Sequence, residues 1–302
     1  MMNASYDEVA SAYDIPRERQ TGSKETCSTP SYNVAPGFST PVLFVHEGEV
    51  ALRPMTWGLI PSFTAKGTEN FKQLHWRMFN ARSETARESP VFRRCLSRRC
   101  LVPVRGFYEW KKEGNQKQPY FVYERKPSSI SSESFTLLAG IYDVWINSAG
   151  DEVWTYAILT TDPIPSLAWL HDRMPVFADL SWIGSSASDT RPLGSHKAED
   201  LDLCWHPVTP RVGKTSFKEA SCCEDVRERK GSIQALFSAG QAAAGVKRES
   251  EGGAGAPLVG LKLGKTFVRR IEKKKKTASP QTVGKKQRSI TAFFHGAQES
   301  SP

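Results

Sequence analysis

The sequence predicts an α+β protein: a single β-rich domain of mostly antiparallel strands with short helices, followed by a disordered basic tail. Short alternating or continuous apolar segments, separated by Gly, Pro and Asn, are typical of strands in a meander. Nearly all Trp, Tyr and Phe residues precede about residue 220, and the remainder is rich in Gly, Ala, Ser and Lys. Because such a composition buries too little apolar surface to offset chain entropy, we expect no core in the tail.

The individual elements follow from local patterns. Strands are expected where apolar residues alternate or run together between turn residues: Pro41–Val45, Val50–Leu52, Leu101–Trp110, Pro119–Tyr123, Phe135–Trp145, Val153–Thr161 and Trp205–Val208. Helices are expected around Tyr6–Tyr13, from Asn80 (a possible N-cap), over Pro163–Leu170 and once more within residues 181–209. We therefore divide the chain into a variable N-terminal segment (1–30), the folded domain (31–225) and the tail (226–302).

Charge and cysteine usage restrict the classes of partner and chemistry. The net charge is +9 and the isoelectric point is about 9.2, which favours a polyanionic partner, above all nucleic acid. The six cysteines form no CxxC pair and have no zinc-like spacing, so we expect reduced structural thiols, no metal and no cofactor. The sequence contains no secretory h-region and no apolar run of about 18 residues, which predicts a soluble, intracellular protein without membrane contact. We also expect a monomer.

Glu109 is the first candidate for chemistry. It follows a buried strand and lies between Tyr108 and Trp110. A carboxylate flanked by aromatic side chains at a strand end should be partly desolvated, which raises its pKa and suits it to proton transfer. The alternative is a solvated Glu on an edge strand, since side chains alternate between the two faces.

A basic stretch interleaved with aromatic residues indicates a groove for single-stranded nucleic acid. Arginines recur at positions 82, 87, 93, 94, 98 and 99. Trp57 is expected in the core and Phe63, in a Pro/Ser/Thr context, at the surface, where it could stack an unpaired base. Arg82 could instead pair with Glu84, and the charged face could simply be solvated.

Several short motifs occur in one order along residues 31–215. They are Tyr-Asn-Val-Ala-Pro-Gly (32–37), Trp-Gly-Leu-Ile-Pro (57–61), Asn-Ala-Arg-Ser-Glu-Thr (80–85), Gly-Phe-Tyr-Glu-Trp (106–110), His-Asp-Arg-Met-Pro (171–175) and Trp-His-Pro-Val (205–208). This set resembles the SRAP (SOS response-associated peptidase) family, which includes bacterial SOS-associated proteins and eukaryotic abasic-site processing proteins.

The resemblance implies a role for specific residues. Catalytic roles fall to Asn80 as a clamp, Glu109 as acid/base and His171 as the proton donor that opens the sugar ring. DNA contacts are implied for Asn33, Pro36, Phe63 (as a wedge), Arg82, Thr160 and Arg173.

The chain start departs from the family pattern, and no nucleophile is assigned. Family members begin Met-Cys-Gly-Arg, and the Cys becomes the first residue; its amine and thiol close a thiazolidine ring with the aldehyde of an abasic site. Here position 2 is Met and no Cys-Gly-Arg occurs, while Cys27 lies only six residues before Asn33. Either the sequence begins at the wrong exon or the nucleophile has been lost; the survival of the other motifs favours the first explanation.

The tail carries a second motif. Gln287, Ile290, Phe293 and Phe294 resemble a PCNA-interacting peptide, because adjacent Phe residues in a coreless basic tail invite an apolar pocket on a partner. Residues 231–237 are a weaker copy without the Gln. The lysine run at 273–276 is typical of a nuclear import signal or a plain charge run, and we expect a nuclear protein.

The leading functional hypothesis is therefore a DNA damage response protein that binds abasic sites in single-stranded DNA and crosslinks to them, protecting replication forks. One alternative is a thiol autoprotease or peptidase that uses the same Glu, His and Asn. Another is a non-covalent reader of modified DNA such as 5-hydroxymethylcytosine, although no specific pocket for that base is evident in the sequence.

Overall fold

The computed structural model describes residues 1–27, 31–65, 77–125, 135–184 and 201–228. Within these ranges strands dominate and helices are short, which confirms the predicted β-rich α+β class. The strands are β1 (Met2–Asn3), β2 (Ser39–His46), β3 (Glu49–Trp57), β4 (Asn80–Arg82), β5 (Arg99–Glu113), β6 (Gln116–Glu124), β7 (Thr136–Ile146), β8 (Glu152–Thr161), β9 (Met174–Pro175) and β10 (Leu203–Pro207). The helices are α1 (Tyr6–Ala12), α2 (Pro90–Cys95) and α3 (Ser181–Gly184).

Five strands close into a ring. β5 pairs with β2, β2 with β3, β3 with β8, β8 with β7, and β7 returns to β5; only the β3–β8 pairing is parallel. Side chains on one face of these strands meet across the ring, where the fully buried Tyr156 shares a hydroxyl–hydroxyl hydrogen bond of 2.8 Å with Thr40. The other face is covered by helices, through residues such as Val9 of α1 and Trp182 of α3. Both strand faces are therefore buried.

β5 extends beyond the ring and carries Glu109 with it. Its first half, to Gly106, pairs with β1, β2 and β7, whereas its second half pairs with β6, to which β10 is added. At the junction a Cβ on Gly106 would lie 2.4 Å from the Phe121 ring and 2.6 Å from the Val122 carbonyl oxygen. Glycine is required there because β6 approaches the backbone so closely.

The first residues pack into the same core as the remainder of the domain. β1 pairs with β5 opposite Val104 and Gly106. Helix α1 begins with a capping box, in which the Ser5 hydroxyl accepts from the Glu8 backbone N–H and the Glu8 carboxylate accepts from the Ser5 N–H. The predicted helix around residues 6–13 is confirmed, and the segment from residue 1 places its N-terminus against β5.

Two predicted helices are wrong. Asn80 does not cap a helix: residues 80–82 form β4, a parallel partner of β8, with Ala81 buried and its neighbours exposed. The helix starts later, at Pro90, capped by Ser89. Residues 163–170 form hydrogen-bonded turns instead of a helix, because two prolines restrict the first positions of the segment. The side chains of Leu167 and Leu170 are buried.

Among the described residues no helix is long and apolar enough to cross a membrane.

Candidate active site

One cavity of about 610 Å³ opens at the end of the ring. Every residue predicted to be catalytic or to contact DNA lines it, with the exception of Phe63: Asn33, Pro36, Asn80, Arg82, Glu109, Thr160, His171 and Arg173. Met1, to which the sequence assigned no role, also lines it. Residues far apart in sequence thus converge as the catalytic hypothesis requires.

Glu109 lies at the inner wall, on the part of β5 that leaves the ring. Its side chain is only 22% exposed, and no described residue donates a hydrogen bond to its carboxylate. Burial raises the pKa of Glu109 from 4.5 to about 7; His171 and the Met1 amine lower it, while Asp172 raises it. The carboxyl group therefore exchanges a proton near neutral pH, as an acid/base catalyst must.

His171 faces Glu109 from the turn that precedes β9. Its Nδ1 lies 3.6 Å from Glu109 Oε1, slightly beyond direct hydrogen-bond range, and accepts the Arg173 backbone N–H at 3.1 Å. In the neutral ring the proton consequently lies on Nε2, which is free to donate into the cavity. His171 Nδ1 is also 3.0 Å from a carboxylate oxygen of the exposed Asp172.

Asn80 and Arg82 enter the cavity from β4. The alternation of the strand buries Ala81 and exposes the residues on either side of it, so these two side chains share one face. In the described part of the chain neither side chain has a hydrogen-bond or ion-pair partner. Both are therefore available to a ligand: the amide for orientation, and the guanidinium for a phosphate.

The α-amine of Met1 is buried in the cavity wall. It donates a 2.8 Å hydrogen bond to the Val34 carbonyl oxygen, and the Val34 N–H donates back to the Met1 oxygen at 2.7 Å. Burial lowers the pKa of this amine from 8.0 to about 5, although the nearby Glu109 carboxylate favours the charged form. At pH 7 such an amine is about 99% neutral, against about 10% for an ordinary one. A neutral amine beside an acid is a nucleophile for carbonyl compounds.

The sequence assigned no nucleophile, because methionine carries no reactive side chain, and left open a transient imine with the chain's own α-amine or non-covalent binding. The available signal was indirect, since the family pattern places the nucleophile at the chain start. Trp110 and Phe79, which also line the cavity, were within or beside quoted motifs but had been given no role.

No cysteine lines the cavity in place of the family thiol. All six thiols are free. Cys222 is the one whose charge would interact with the Met1 amine, but it is buried, its Sγ donates to the Phe217 carbonyl oxygen, and burial raises its pKa to about 11. Cys27 packs against the helix-covered core, where burial raises its pKa to about 12. Neither is poised to act as a thiolate.

Two residues that were predicted to contact DNA, Asn33 and Arg173, already bind other residues of the domain. The Asn33 amide nitrogen lies 2.8–3.2 Å from the carbonyl oxygens of Val212, Lys214 and Phe217, so this buried side chain anchors the segment after β10. Arg173 pairs with both Glu84 and Asp162 at 2.7 Å. Glu84 therefore pairs with Arg173 rather than with Arg82, and the phosphate role of Arg173 stays a prediction.

Fewer arginines of the basic stretch are available to bind phosphates than its composition suggests. Arg99 is only 4% exposed; its Nε donates to the Leu96 carbonyl oxygen and its guanidinium stacks on Trp182 at 4.3 Å, so a phosphate contact for it is wrong. Arg98 forms an ion pair with the buried Asp143. Exposed guanidinium groups remain at Arg82, Arg93 and Arg94.

Phe63 is exposed and Trp57 is buried, which confirms the predicted surface position of Phe63 and the predicted core position of Trp57. Phe63 is 55% exposed and carries the Arg94 guanidinium 5.1 Å from its ring centre. Its loop is held by a 2.7 Å hydrogen bond from the Ser62 N–H to Asp143. Phe63 does not line the cavity, and its wedge role stays a prediction. The polar insertion expected at 64–79 falls largely outside the described residues.

Comparison with known proteins identifies the family. The amino-acid sequence matches the family described as SOS response associated peptidase (SRAP) over residues 1–215. The chain belongs to the SRAP family. The match includes the N-terminal segment, in agreement with the packing of β1 and α1 against the ring. In this SRAP protein the tail from residue 229 lies outside the described residues, and with it the motif at residues 287–294 that resembles a PCNA-interacting peptide.

Individual relatives share the SRAP domain. The chain is 32% identical over 228 residues to "Abasic site processing protein HMCES" of Rattus norvegicus, covering 64% of this chain and 64% of that protein. It is 33% identical over 175 residues to "Abasic site processing protein YoaM" of Bacillus subtilis, covering 57% of this chain and 70% of the relative. A crystal structure of a protein from Bacteroides thetaiotaomicron matches with a TM-score of 0.59 and 22% identity, over 74% of this chain and 98% of that one, which shows a shared fold.

Proposed function

We propose that this protein processes abasic sites in single-stranded DNA and links to them covalently through the α-amine at its chain start. The names of its relatives support the substrate class. The observation that carries the proposal is the low-pKa amine of Met1, buried in one cavity with Glu109, His171 and Asn80. These are an amine nucleophile, an acid/base, a proton donor and a clamp, the set that addition to an aldehyde requires.

The proposed chemistry proceeds in two steps. The neutral Met1 nitrogen attacks the aldehyde carbon of the ring-opened sugar. The sugar oxygen takes a proton from Nε2 of the His171 imidazolium, while the nitrogen loses one to the Glu109 carboxylate. The resulting carbinolamine loses its hydroxyl group as water, with protonated Glu109 as the donor, and leaves an iminium ion. The iminium nitrogen then returns a proton to the neutral His171 ring, which gives the imine. Hydrolysis by water reverses both steps and restores the amine and the aldehyde.

The side chain at the nucleophile decides how long the link persists. A Cys thiol would add to the imine carbon and close a five-membered thiazolidine ring. Methionine carries a thioether, which has no proton to lose and cannot form a neutral ring adduct. With Met1 at the amine, the link proposed here is therefore an imine that water reverses and hydride traps.

A single strand suits this cavity better than a duplex. The reacting sugar must reach a buried amine, and an unpaired abasic nucleotide has no base to hold it in a stack. Arg82, whose side chain is exposed and without a partner among the described residues, is placed to hold an adjacent phosphate. Asn80, on the same face of β4, would orient the sugar hydroxyl groups.

Hydride trapping tests the proposal. Protein and a single strand with one abasic site are incubated with cyanoborohydride, which reduces an imine to a secondary amine, and are resolved on a denaturing gel. We expect a band of combined mass. A strand with a tetrahydrofuran analogue, which has no aldehyde, is the control and should bind without forming that band. Binding to abasic DNA with no trapped product would reject the covalent step and support a non-covalent reader.

The cellular setting is proposed from the sequence alone. We infer that the motif at 287–294 recruits the protein to a sliding clamp in the nucleus, so that abasic sites are engaged at replication forks. The residues concerned, Gln287, Ile290, Phe293 and Phe294, lie outside the described part of the structure.

A further inference from the structure

A second aromatic residue is exposed close to the active site. Trp169 is 38% exposed and precedes His171 by two residues. In the described ranges the other large hydrophobic side chains with comparable exposure are Phe63 and Ile146. Neither belongs to the turn that carries His171, so Trp169 is the one whose position is tied to the catalytic pair.

Trp169 rests on the sheet face that carries Glu109. Glu109 lies directly opposite Tyr120 in the β5–β6 ladder, and Lys111 follows two residues later on the same face. Trp205 of β10 lies opposite Val122, two residues after Tyr120, and so shares that face as well. The cluster of Trp169, Tyr120, Trp205 and Lys111, here termed the indole platform, is thus continuous with the active-site carboxylate.

The indole of Trp169 contacts two aromatic neighbours and is hydrogen-bonded within its own turn. Its ring centre lies 5.0 Å from that of Tyr120 in an edge-to-face contact and 5.9 Å from that of Trp205. Its Nε1–H donates to the Ser166 carbonyl oxygen at 2.9 Å. Because the only polar group of the ring is used within its own turn, what Trp169 offers to solvent is aromatic surface. Such a surface stacks bases without reading their hydrogen-bonding edges.

A positive charge accompanies the ring. The Lys111 ammonium lies over the Trp169 ring, 5.2 Å from the ring centre. An aromatic face beside a cation is the combination by which proteins hold unpaired nucleotides, the ring stacking a base and the cation meeting its phosphate. Lys111 also pairs with the exposed Glu113 at 2.9 Å, a surface ion pair that a phosphate can replace at little cost.

We propose that the indole platform is a stacking site for the nucleobase adjacent to the abasic nucleotide, with Trp169 as the contact surface and Lys111 as the phosphate partner. The inference deepens the proposed function and rests on it for the identity of the strand. By holding a neighbouring base, the platform sets which nucleotide reaches Glu109 and His171. Stacking accepts any base, so we expect little dependence on sequence.

Fluorescence of 2-aminopurine tests the platform. The probe is placed on either side of a tetrahydrofuran abasic analogue in a single strand, so that binding is measured without covalent chemistry. Stacking on Trp169 should change the probe fluorescence on one side of the analogue. Trp169→Ala should abolish this change and weaken affinity about 5- to 100-fold, the value of one stacked base. Trp169→Phe should retain most of both.

Ile146→Ala is the matched control, because Ile146 is 37% exposed but lies at the end of β7, away from the platform. It should bind as the wild type does. Equal affinity and fluorescence for wild type and Trp169→Ala, or equal losses for Trp169→Ala and Ile146→Ala, would overturn the platform. Hydride trapping at saturating DNA separates the two proposals: Ile146→Ala should form the adduct as the wild type does, whereas a wild type that stacks the probe but forms no adduct contradicts only the proposed function.

Discussion

Replacing Glu109 with Gln should stabilise the protein at alkaline pH while removing its chemistry. The buried carboxyl group has a pKa of about 7 against an ordinary value of 4.5. Each pKa unit is worth about 1.4 kcal/mol, so the ionised side chain costs the folded state about 3 kcal/mol. Glutamine keeps the shape and carries no charge, and Glu109→Gln should regain that amount.

The pH dependence of this stability difference shows whether the buried charge of Glu109 causes it. Because the folded-state pKa is above the unfolded one, the folded protein bears no penalty below about pH 4.5. The penalty grows between pH 4.5 and about 7 and is complete above it. The melting temperature of Glu109→Gln should therefore exceed that of the wild type by about 6–12 °C at pH 8 and by nearly nothing at pH 4.5.

Urea unfolding at pH 5 and pH 8, alongside thermal melts, measures this difference. Glu113→Gln is the control, since Glu113 lies on the same strand with half of its side chain exposed and should show no such pH-dependent gain. The reasoning would be refuted if Glu109→Gln were less stable than the wild type at pH 8, or if its free energy of unfolding differed from that of the wild type by the same amount at both pH values. Either result would show that burial does not raise the pKa of Glu109.

Three further outcomes are expected. The rate of hydride trapping should rise with pH from about pH 5, as the Met1 amine becomes neutral, to about pH 7, as Glu109 ionises and can take the proton from the nitrogen, and Glu109→Gln should lower the rate throughout; a single rise centred near pH 8 would contradict a buried amine. Arg173→Met should lower the free energy of unfolding by about 1–3 kcal/mol in urea titrations, because it removes charged hydrogen bonds to two carboxylates; unchanged stability would show that the pairs are dispensable. Changing Phe293 and Phe294 to Ala should abolish binding to a sliding clamp in fluorescence anisotropy and leave DNA affinity unaltered; persistent clamp binding would show that the motif is wrongly assigned.

Local sequence predicted those features of the site whose causes are local. Glu109 between two aromatic residues at a strand end suggested desolvation, and burial does raise its pKa. The exposure of Phe63 followed from its polar neighbours. By contrast, Asn80 was expected to cap a helix, because its cap chemistry is visible in sequence whereas the β8 ladder that holds it in a strand is 78 residues away.

The convergence of the site could not be derived from periodicity. Asn33 binds carbonyl groups about 180 residues later in the chain, and His171 reaches Glu109 through a turn that local patterns had suggested to be a helix. The order of the family motifs indicated that these residues meet, but not which of them are already engaged. Only the structure shows that Arg173 is paired with two carboxylates while Arg82 is free of described partners.

The position of the Met1 nitrogen could not be predicted from the side chain of that residue. Methionine has no reactive side chain, so its importance lies in where β1 places its backbone nitrogen. Pairing of Met2 with β5 opposite Gly106 brings that nitrogen next to the Glu109 end of the strand. The proposed chemistry thus depends on the pairing of the two-residue strand β1 with β5.

Peptide mapping of the trapped adduct tests the central claim most directly. After reduction and digestion, mass spectrometry should find the deoxyribose remnant on the α-amine of Met1, with lysine-containing peptides unmodified. A remnant on a lysine side chain, or no modified peptide despite bound abasic DNA, would contradict an amine nucleophile in the cavity of Glu109 and His171.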